Sequence, residues 1–200
     1  MTTLVFIHGN KSTKASFNFI SSHLNDNSHR KIYLSYNSDN GFYNNLDGMK
    51  DSLQGINDIF FITHSLGGIY ALHLSEYFEG KVEGCVSLAA PFGGSDAATT
   101  LGLFFPDQVF RDIGPYSSPI IKGASVRLNI PWTAIVTISG NSSMMKQAND
   151  GILTTDSMSS RKDVLYDYQS FNHSEILMSN QVITTIKHSI AHSYEWGMHE

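Results

Sequence analysis

The hydrophobic positions of this chain fall into short runs that alternate with amphipathic segments. Runs of four to nine residues, rich in β-branched or aromatic residues and ended by turn-formers, predict six strands: Leu4 to Ile7, Lys31 to Tyr36, Asp58 to Thr63, Lys81 to Ala89, Thr133 to Ser139 and Asp163 to Tyr168. Apolar residues at three- and four-residue spacing predict helices over Phe42 to Gly55, Leu66 to Phe78 and Ile176 to Tyr194. The last helix has an apolar stripe made of Val182, Ile186, Ile190 and Tyr194, with Ile183 beside it.

This alternation predicts the fold class. Strands separated by helices form right-handed crossovers, so we expect an α/β fold with a mostly parallel sheet of about six strands flanked by helices. Ligand sites in such sheets lie at the carboxyl ends of the strands. The residues that follow each predicted strand are therefore the first candidates for chemistry.

Length and composition limit the alternatives. The chain has 200 residues, 41% hydrophobic and 16% charged, which favours a single domain over residues 1–200. A formal net charge of −5 without a basic run argues against nucleic acid and anionic membrane surfaces as partners. The single cysteine, Cys85, precludes an internal disulfide, and its place inside a predicted strand favours a small core residue.

No apolar run approaches the roughly 20 residues that span a bilayer. The stretch Leu4 to Ile7 is too short for a signal-peptide core and runs directly into a turn, so we interpret it as part of the fold. The expected location is cytoplasmic, and export without a signal peptide stays open.

One segment, residues 92–132, interrupts the alternation. It contains four prolines among apolar clusters, which is typical of a packed insertion and not of a polar linker. Because it follows a strand end, we expect it to form a cap or lid beside the site. Its candidate substrate-binding residues are Phe92, Leu103, Phe104 and Phe105. The alternative is that all its apolar residues pack on the sheet.

The stretch from Phe60 to Gly68 indicates a nucleophile. An apolar strand runs into Ser65, and Gly67 and Gly68 then open a helix. A sharp strand-to-helix turn of this kind lifts a serine out of the end of a sheet and requires small neighbours. Thr63 stands where the usual G-x-S-x-G pattern has its first glycine. The alternative is a serine that only caps the helix.

A second turn follows the first predicted strand, in the sequence His8-Gly9-Asn10. An ester hydrolase needs two backbone N–H donors for its oxyanion, one after the nucleophile and one in a loop after an early strand. The candidates are the N–H groups of Asn10 and Leu66, with His8 as a structural residue of the loop. A simple His-Gly turn is the alternative.

Five motifs together resemble the α/β-hydrolases of the small bacterial lipase and carboxylesterase type. They are L-V-F-I-H-G-N at Leu4 to Asn10, T-H-S-L-G-G at Thr63 to Gly68, A-A-P-F-G-G-S at Ala89 to Ser95, N-D-G-I-L at Asn149 to Leu153 and N-H-S-E-I-L at Asn172 to Leu177. The resemblance covers most of the chain. It implies a catalytic triad in the order Ser65, Asp150, His173.

The residues themselves are consistent with this order. His173 follows a predicted strand end at the required point of the chain, whereas His8 and His64 lie in the motif turns. Asp150, in an Asn-Asp-Gly turn, could accept the other imidazole N–H and hold the tautomer. Asp156 is its rival.

A metal site is the remaining alternative. His188, His192 and Glu195 have the i, i+4, i+7 spacing of ligands on one helix face, but Ser189 stands where an H-E-x-x-H motif has its glutamate. Glu175 stands where larger relatives of the resembled family keep a calcium-binding aspartate, and no second ligand is identified. We expect no metal and no cofactor.

The sequence therefore predicts a serine carboxylic-ester hydrolase, a lipase or esterase that forms an acyl-enzyme on a hydrophobic acyl ester. Its expected partner is a small-molecule or lipid ester. A thioesterase or an acyltransferase would use the same triad. A catalytically inactive binding protein on the same fold is the alternative from another class.

Overall fold

The structure is a computed structural model that describes residues 1–25, 28–96, 108–140, 145 and 147–196. In this part of the chain the strands are β1 (Thr3–Ile7), β2 (Arg30–Leu34), β3 (Ile59–His64), β4 (Val82–Leu88), β5 (Trp132–Thr137) and β6 (Leu165–Gln169). The helices are α1 (Asn18–His23), α2 (Phe42–Ser52), α3 (Leu66–Tyr77), α4 (Gln108–Asp112), α5 (Ser118–Ser125), α6 (Thr155–Met158) and α7 (Asn180–Trp196). Short 3₁₀ turns lie at Lys14–Phe17, Ser38–Asn40 and Glu175–Met178.

Parallel pairing joins these strands into one sheet in the order β2-β1-β3-β4-β5-β6. From β1 the chain moves outward to β2 and then crosses back to β3, on the other side of β1. The direction of winding therefore reverses between β1 and β3, and such a switch point opens a crevice at the carboxyl ends of the strands. The predicted α/β class and the predicted parallel sheet are confirmed.

The two faces of the sheet bury separate apolar layers. Along β1, Val5 and Ile7 belong to one layer and Leu4 and Phe6 to the other, as side chains that alternate along a strand must. The first layer includes the buried face of α2 and α3: Leu46, Met49, Ile69 and Leu72. The second includes the buried face of α1 and α7: Ile20, Val182, Ile183, Ile186 and Ile190. Crossovers that run in opposite directions along a sheet place their helices on opposite faces.

The carboxyl-terminal helix differs from its prediction. The sequence predicts one helix from Ile176, whereas a 3₁₀ turn ends at Met178 and α7 begins only at Asn180. Between them Ser179 Oγ accepts hydrogen bonds from the N–H groups of Gln181 (3.1 Å) and Val182 (3.3 Å), which caps α7. Apolar spacing does not reveal the break, because the turn and α7 bury residues in the same layer.

A second difference is α1, a helix that apolar periodicity does not predict. It has six residues, which is less than two turns and too few to show a period. Its buried residue, Ile20, is nevertheless part of the second apolar layer.

The insertion is described in its first five residues and again from residue 108. In its second half Ile120 is buried in the first apolar layer, while Ile121 is 56% exposed. The ring nitrogen Nε2 of His73, in α3, donates to the carbonyl of Pro119 (2.9 Å), so α5 is tied to α3. Leu103, Phe104 and Phe105 lie outside the described residues. The cap therefore stays a prediction.

Among the described residues, no helix is both long enough and apolar enough to cross a membrane.

Candidate active site

Ser65 occupies the sharp turn between β3 and α3. Its backbone has φ +52° and ψ −124°, a conformation that residues other than glycine rarely adopt. The Ser65 N–H donates to the Leu88 carbonyl (2.8 Å) and so ties the turn to the end of β4. A strained serine at the end of a central parallel strand is the geometry of a nucleophile elbow.

The glycines around this turn allow three backbone segments to meet. A Cβ atom on Gly67 would lie 2.1 Å from the carbonyl oxygen of Ile7, so α3 can begin against the end of β1 only without a side chain there. A Cβ on Gly9 would lie 3.0 Å from Nδ1 of His64 and 3.1 Å from Cβ of Ser65. The His-Gly turn after β1 therefore lies directly beside Ser65.

Asp150 lies in the loop after β5, 1% exposed and fully hydrogen-bonded. Its Oδ2 atom accepts from Oγ1 of Thr137 (2.6 Å), and its Oδ1 atom accepts from the N–H groups of Ile152 (3.0 Å) and Leu153 (2.8 Å). Burial raises the pKa of Asp150, but the hydrogen bonds and charge interaction with His173 and the bonds from Thr137 and Leu153 outweigh it and lower the pKa overall. The carboxylate is therefore charged at neutral pH.

His173 follows β6, and its ring is bonded to that carboxylate. Nδ1 lies 2.7 Å from Oδ2 of Asp150, and the His173 N–H donates to the Asp150 carbonyl (3.0 Å). Because a carboxylate only accepts, Nδ1 carries a proton, and the neutral form of the ring therefore has its lone pair on Nε2. An imidazole held in this tautomer can act as a general base through Nε2.

The turn after β1 is fixed by two side chains. Nδ1 of His8 lies 2.8 Å from the Gly9 carbonyl oxygen, and the hydroxyl of Tyr36 donates to the His8 carbonyl (3.0 Å). The rings of His8 and Tyr36 are stacked, with centroids 4.4 Å apart. Because the Gly9–Asn10 peptide is trans, anchoring the carbonyl of Gly9 orients the N–H of Asn10 in the opposite direction.

The two predicted oxyanion donors have free N–H groups. Within the described residues neither Asn10 nor Leu66 uses its backbone N–H in a hydrogen bond. Leu66 is the first residue of α3, where the N–H groups have no partner inside the helix and carry partial positive charge. Such groups are suited to stabilising an oxyanion.

His64 connects the turn that carries Ser65 with the loop that carries His173. Its Nε2 atom lies 2.8 Å from the His173 carbonyl oxygen, and the two ring centroids are 4.8 Å apart. His173 therefore lies beside the residue that precedes Ser65. In the described structure no hydrogen bond joins Oγ of Ser65 to the imidazole of His173.

Thr137, Tyr36 and His64 also contact the candidate site residues, and no sequence motif marks them for such a role. Thr137 ends β5, His64 ends β3, and Tyr36 comes two residues after β2. Their positions at strand ends are the one feature of the sequence that indicates a place near the site. Phe92, predicted to bind substrate, is 3% exposed and packs edge-on against Trp132.

The alternatives for the acid and for a metal lie elsewhere. Asp156 is exposed in the first turn of α6, and the helix is capped by Thr154. The rings of His188 and His192 are exposed on α7 with centroids 3.9 Å apart, while the side chain of Glu195 lies outside the described part. Over the described ranges, no group of three or more His, Cys, Asp or Glu side chains could hold a metal ion.

His64 gives a prediction for stability against pH. Burial, with the nearby His173 and His8, lowers its pKa to about 3 in spite of its bond to His173 and the charge of Asp150. Between pH 6.5 and 3 the unfolded chain binds this proton and the folded chain does not, so stability falls on acidification. Between pH 8 and pH 5 we expect the free energy of unfolding to fall by about 2 kcal/mol less in His64→Gln than in the wild type.

Urea unfolding at several pH values measures this difference. Burial lowers the pKa of His8 and His73 as well, so part of the pH dependence should remain in the variant. An unchanged slope in His64→Gln would show that His64 takes up its proton normally when folded.

The fold is the α/β-hydrolase fold, as three solved structures show. Phospholipase PlaB from Legionella pneumophila has a TM-score of 0.76 at 13% identity, with 98% of this chain and 61% of PlaB covered. Lipase BlEst2 from Bacillus licheniformis, in mature form, has a TM-score of 0.71 at 13% identity over 94% of this chain and 91% of its own. Monoacylglycerol lipase from Paleococcus ferrophilus has a TM-score of 0.67 at 12% identity over 97% and 94%.

These TM-scores establish a shared fold. The chain spans about three fifths of PlaB and nearly all of the other two. No protein-family model matches the chain, and no curated protein sequence is similar to it.

Proposed function

We propose that this protein is a serine carboxylic-ester hydrolase with Ser65, Asp150 and His173 as its catalytic triad. The observation that carries the proposal is the buried hydrogen bond between Asp150 and His173 (2.7 Å), with His173 in contact with His64, the residue that precedes a serine in a strained strand-to-helix turn. The lipases with the same fold support the choice of esters as substrates.

The proposed reaction has two steps. Oγ of Ser65 attacks the acyl carbonyl carbon as its proton passes to Nε2 of His173, and the N–H groups of Asn10 and Leu66 bind the resulting oxyanion. His173 then returns that proton to the alcohol oxygen as the C–O bond breaks, which leaves an acyl-enzyme. Water attacks this ester and gives its proton to His173, and collapse of the second intermediate restores the Ser65 hydroxyl and releases the acid.

A fluorophosphonate probe tests the proposal, because it phosphonylates only an activated serine. We expect one label on the intact protein, located at Ser65 by peptide mapping, and hydrolysis of p-nitrophenyl esters with burst kinetics. A folded protein that neither accepts the label nor hydrolyses esters would instead favour a binding protein on the same scaffold.

The acyl preference depends on the insertion. If its apolar residues line a groove, each buried methylene contributes up to about 0.8 kcal/mol, nearly fourfold in kcat/KM, until the groove is full. We therefore expect kcat/KM to rise from acetyl toward medium-chain p-nitrophenyl esters below their micelle concentrations. A steady fall from acetate through butyrate to octanoate would show a narrow site and a short-chain esterase.

Metal removal is expected to change nothing. The proposed chemistry uses a serine, an imidazole, a carboxylate and backbone N–H groups, so it needs no Lewis acid. Ester turnover and melting temperature, compared before and after dialysis against EDTA, should agree within error. A loss that calcium or zinc restores would contradict this.

A further inference from the structure

His64 is the residue immediately before the proposed nucleophile, and the mechanism above gives it no role. It ends β3 and is 6% exposed. Its Nε2–H donates to the backbone carbonyl of His173 across 109 positions of sequence, at 2.8 Å. The rings of the two histidines also touch, at 4.8 Å between centroids and 52° between planes.

We propose that His64 is a positioning residue for His173, and that its Nε2–H bond to the His173 carbonyl holds the general base at its working distance from Ser65. This inference rests on the proposed function, since it assigns the base that His64 positions. In this role His64 acts through the side chain of His173 and does not touch the substrate.

The other bonds of His173 do not fix this distance. Its Nδ1–H and its backbone N–H both run to Asp150, so they tie the base to the loop after β5. Neither bond runs to β3 or to the turn that carries Ser65. Among the described residues, the bond from His64 is the hydrogen bond that joins the base to the strand that presents Ser65.

The position of the His64 ring favours a neutral hydrogen-bond donor beside the His173 carbonyl. The Nδ1 atom of His64 is buried without a hydrogen-bond partner, and it faces Gly9 so closely that a Cβ there would lie 3.0 Å away. A neutral ring with its proton on Nε2 satisfies the His173 carbonyl and adds no positive charge beside the working imidazole. An apolar replacement would leave that buried carbonyl unsatisfied.

His73 provides a matched control within the chain. It is 5% exposed, and its Nε2–H donates to the carbonyl of Pro119 at 2.9 Å, so it makes the same kind of buried bond. His73 lies eight positions beyond Ser65, about 12 Å along α3, and its bond joins α3 to the insertion and not to His173.

The test compares three variants of His64 with one of His73. The Nε2 amide of His64→Gln reaches the place of the imidazole Nε2–H, whereas the shorter amide of His64→Asn does not. We expect kcat for a p-nitrophenyl ester to fall about 10- to 100-fold in His64→Leu and His64→Asn, with KM within about threefold, because small misplacement of a base costs this much. His64→Gln should recover to within about fivefold of the wild type, and His73→Leu should stay within about twofold.

The outcomes separate the two proposals. Equal kcat in the wild type, His64→Leu and His64→Asn would overturn the positioning role and leave the proposed function intact. So would a loss that His64→Gln does not recover, or one that His73→Leu shares. A wild type that neither labels nor turns over would overturn the proposed function and the role of His64 with it.

A measurement on the wild type guards against variants that fail to fold. In the ¹⁵N,¹³C-labelled protein, we expect a through-hydrogen-bond coupling between ¹⁵Nε2 of His64 and the carbonyl ¹³C of His173. A freely exchanging Nε2 proton without this coupling would overturn the inference whatever the variants do.

Discussion

Replacing Ser65 by alanine is expected to abolish fluorophosphonate labelling and to lower ester turnover by about 10⁵- to 10⁶-fold. The effect is large because the members of a triad act as a unit, and the loss of the nucleophile removes the covalent route altogether. Labelling with the probe and initial rates on a p-nitrophenyl ester measure it. Undiminished labelling of Ser65→Ala would exclude Ser65 as the nucleophile.

The backbone of Ser65 allows a control for folding. At φ +52° alanine is strained as much as serine, whereas glycine adopts this conformation freely. We expect Ser65→Gly to lose activity equally but to unfold at a higher temperature than Ser65→Ala, by the relief of about 1 kcal/mol or more of backbone strain. Ser52→Ala, at the exposed end of α2, should keep full activity.

The second large effect is expected from Asp150→Asn, at about 10⁴-fold in kcat. The N–H groups of Ile152 and Leu153 already donate to one oxygen of the carboxylate, so the amide oxygen will remain there. The amide NH₂ then faces Nδ1 of His173 and donates to it, which leaves the proton on Nε2 and removes the base. The fall in kcat at unchanged fold, followed by circular dichroism, is the measurement.

Asp156→Asn is the matched comparison. Asp156 is exposed on α6, and we expect its replacement to cost little. His173→Ala should be about as severe as Ser65→Ala, since it removes the base itself. If Asp156→Asn were the damaging change and Asp150→Asn the mild one, the acid of the triad would have to be reassigned.

Local pattern determined most of the architecture. The residues Leu4 to Ile7 and Ile59 to Ile62 are all apolar, as expected for strands covered on both faces. The predicted runs that contain them form β1 and β3, with ends shifted by at most one residue. The stripe of Val182, Ile186 and Ile190 is buried as its spacing requires. The apolar pattern predicts these elements correctly because each of them is stabilised by packing its own apolar face on one layer of the core.

The sequence also indicated which residues belong to the candidate site. Gly67 follows Ser65 by two positions, and the structure gives the reason: there is no room for a Cβ beside the Ile7 carbonyl. The resemblance to the α/β-hydrolases implies Asp150 as the acid, and the carboxylate of Asp150 lies 2.7 Å from Nδ1 of His173. The sequence can indicate such residues because a tight turn or a close backbone contact allows only a few residue types at its positions.

Only the tertiary structure decided the contacts between those turns. The bond from Thr137 to Asp150 spans 13 positions and the bond from His64 to His173 spans 109, so each joins groups that only the folded chain brings together. A histidine at position 64 or a threonine at the end of a strand has no local signature of its partner. The sequence by itself determined the parallel sheet and the candidate residues at the ends of its strands. The folded chain determined the strand order and how those residues are held, because a hydrogen bond between residues 109 positions apart depends on where parallel strands bring their ends together.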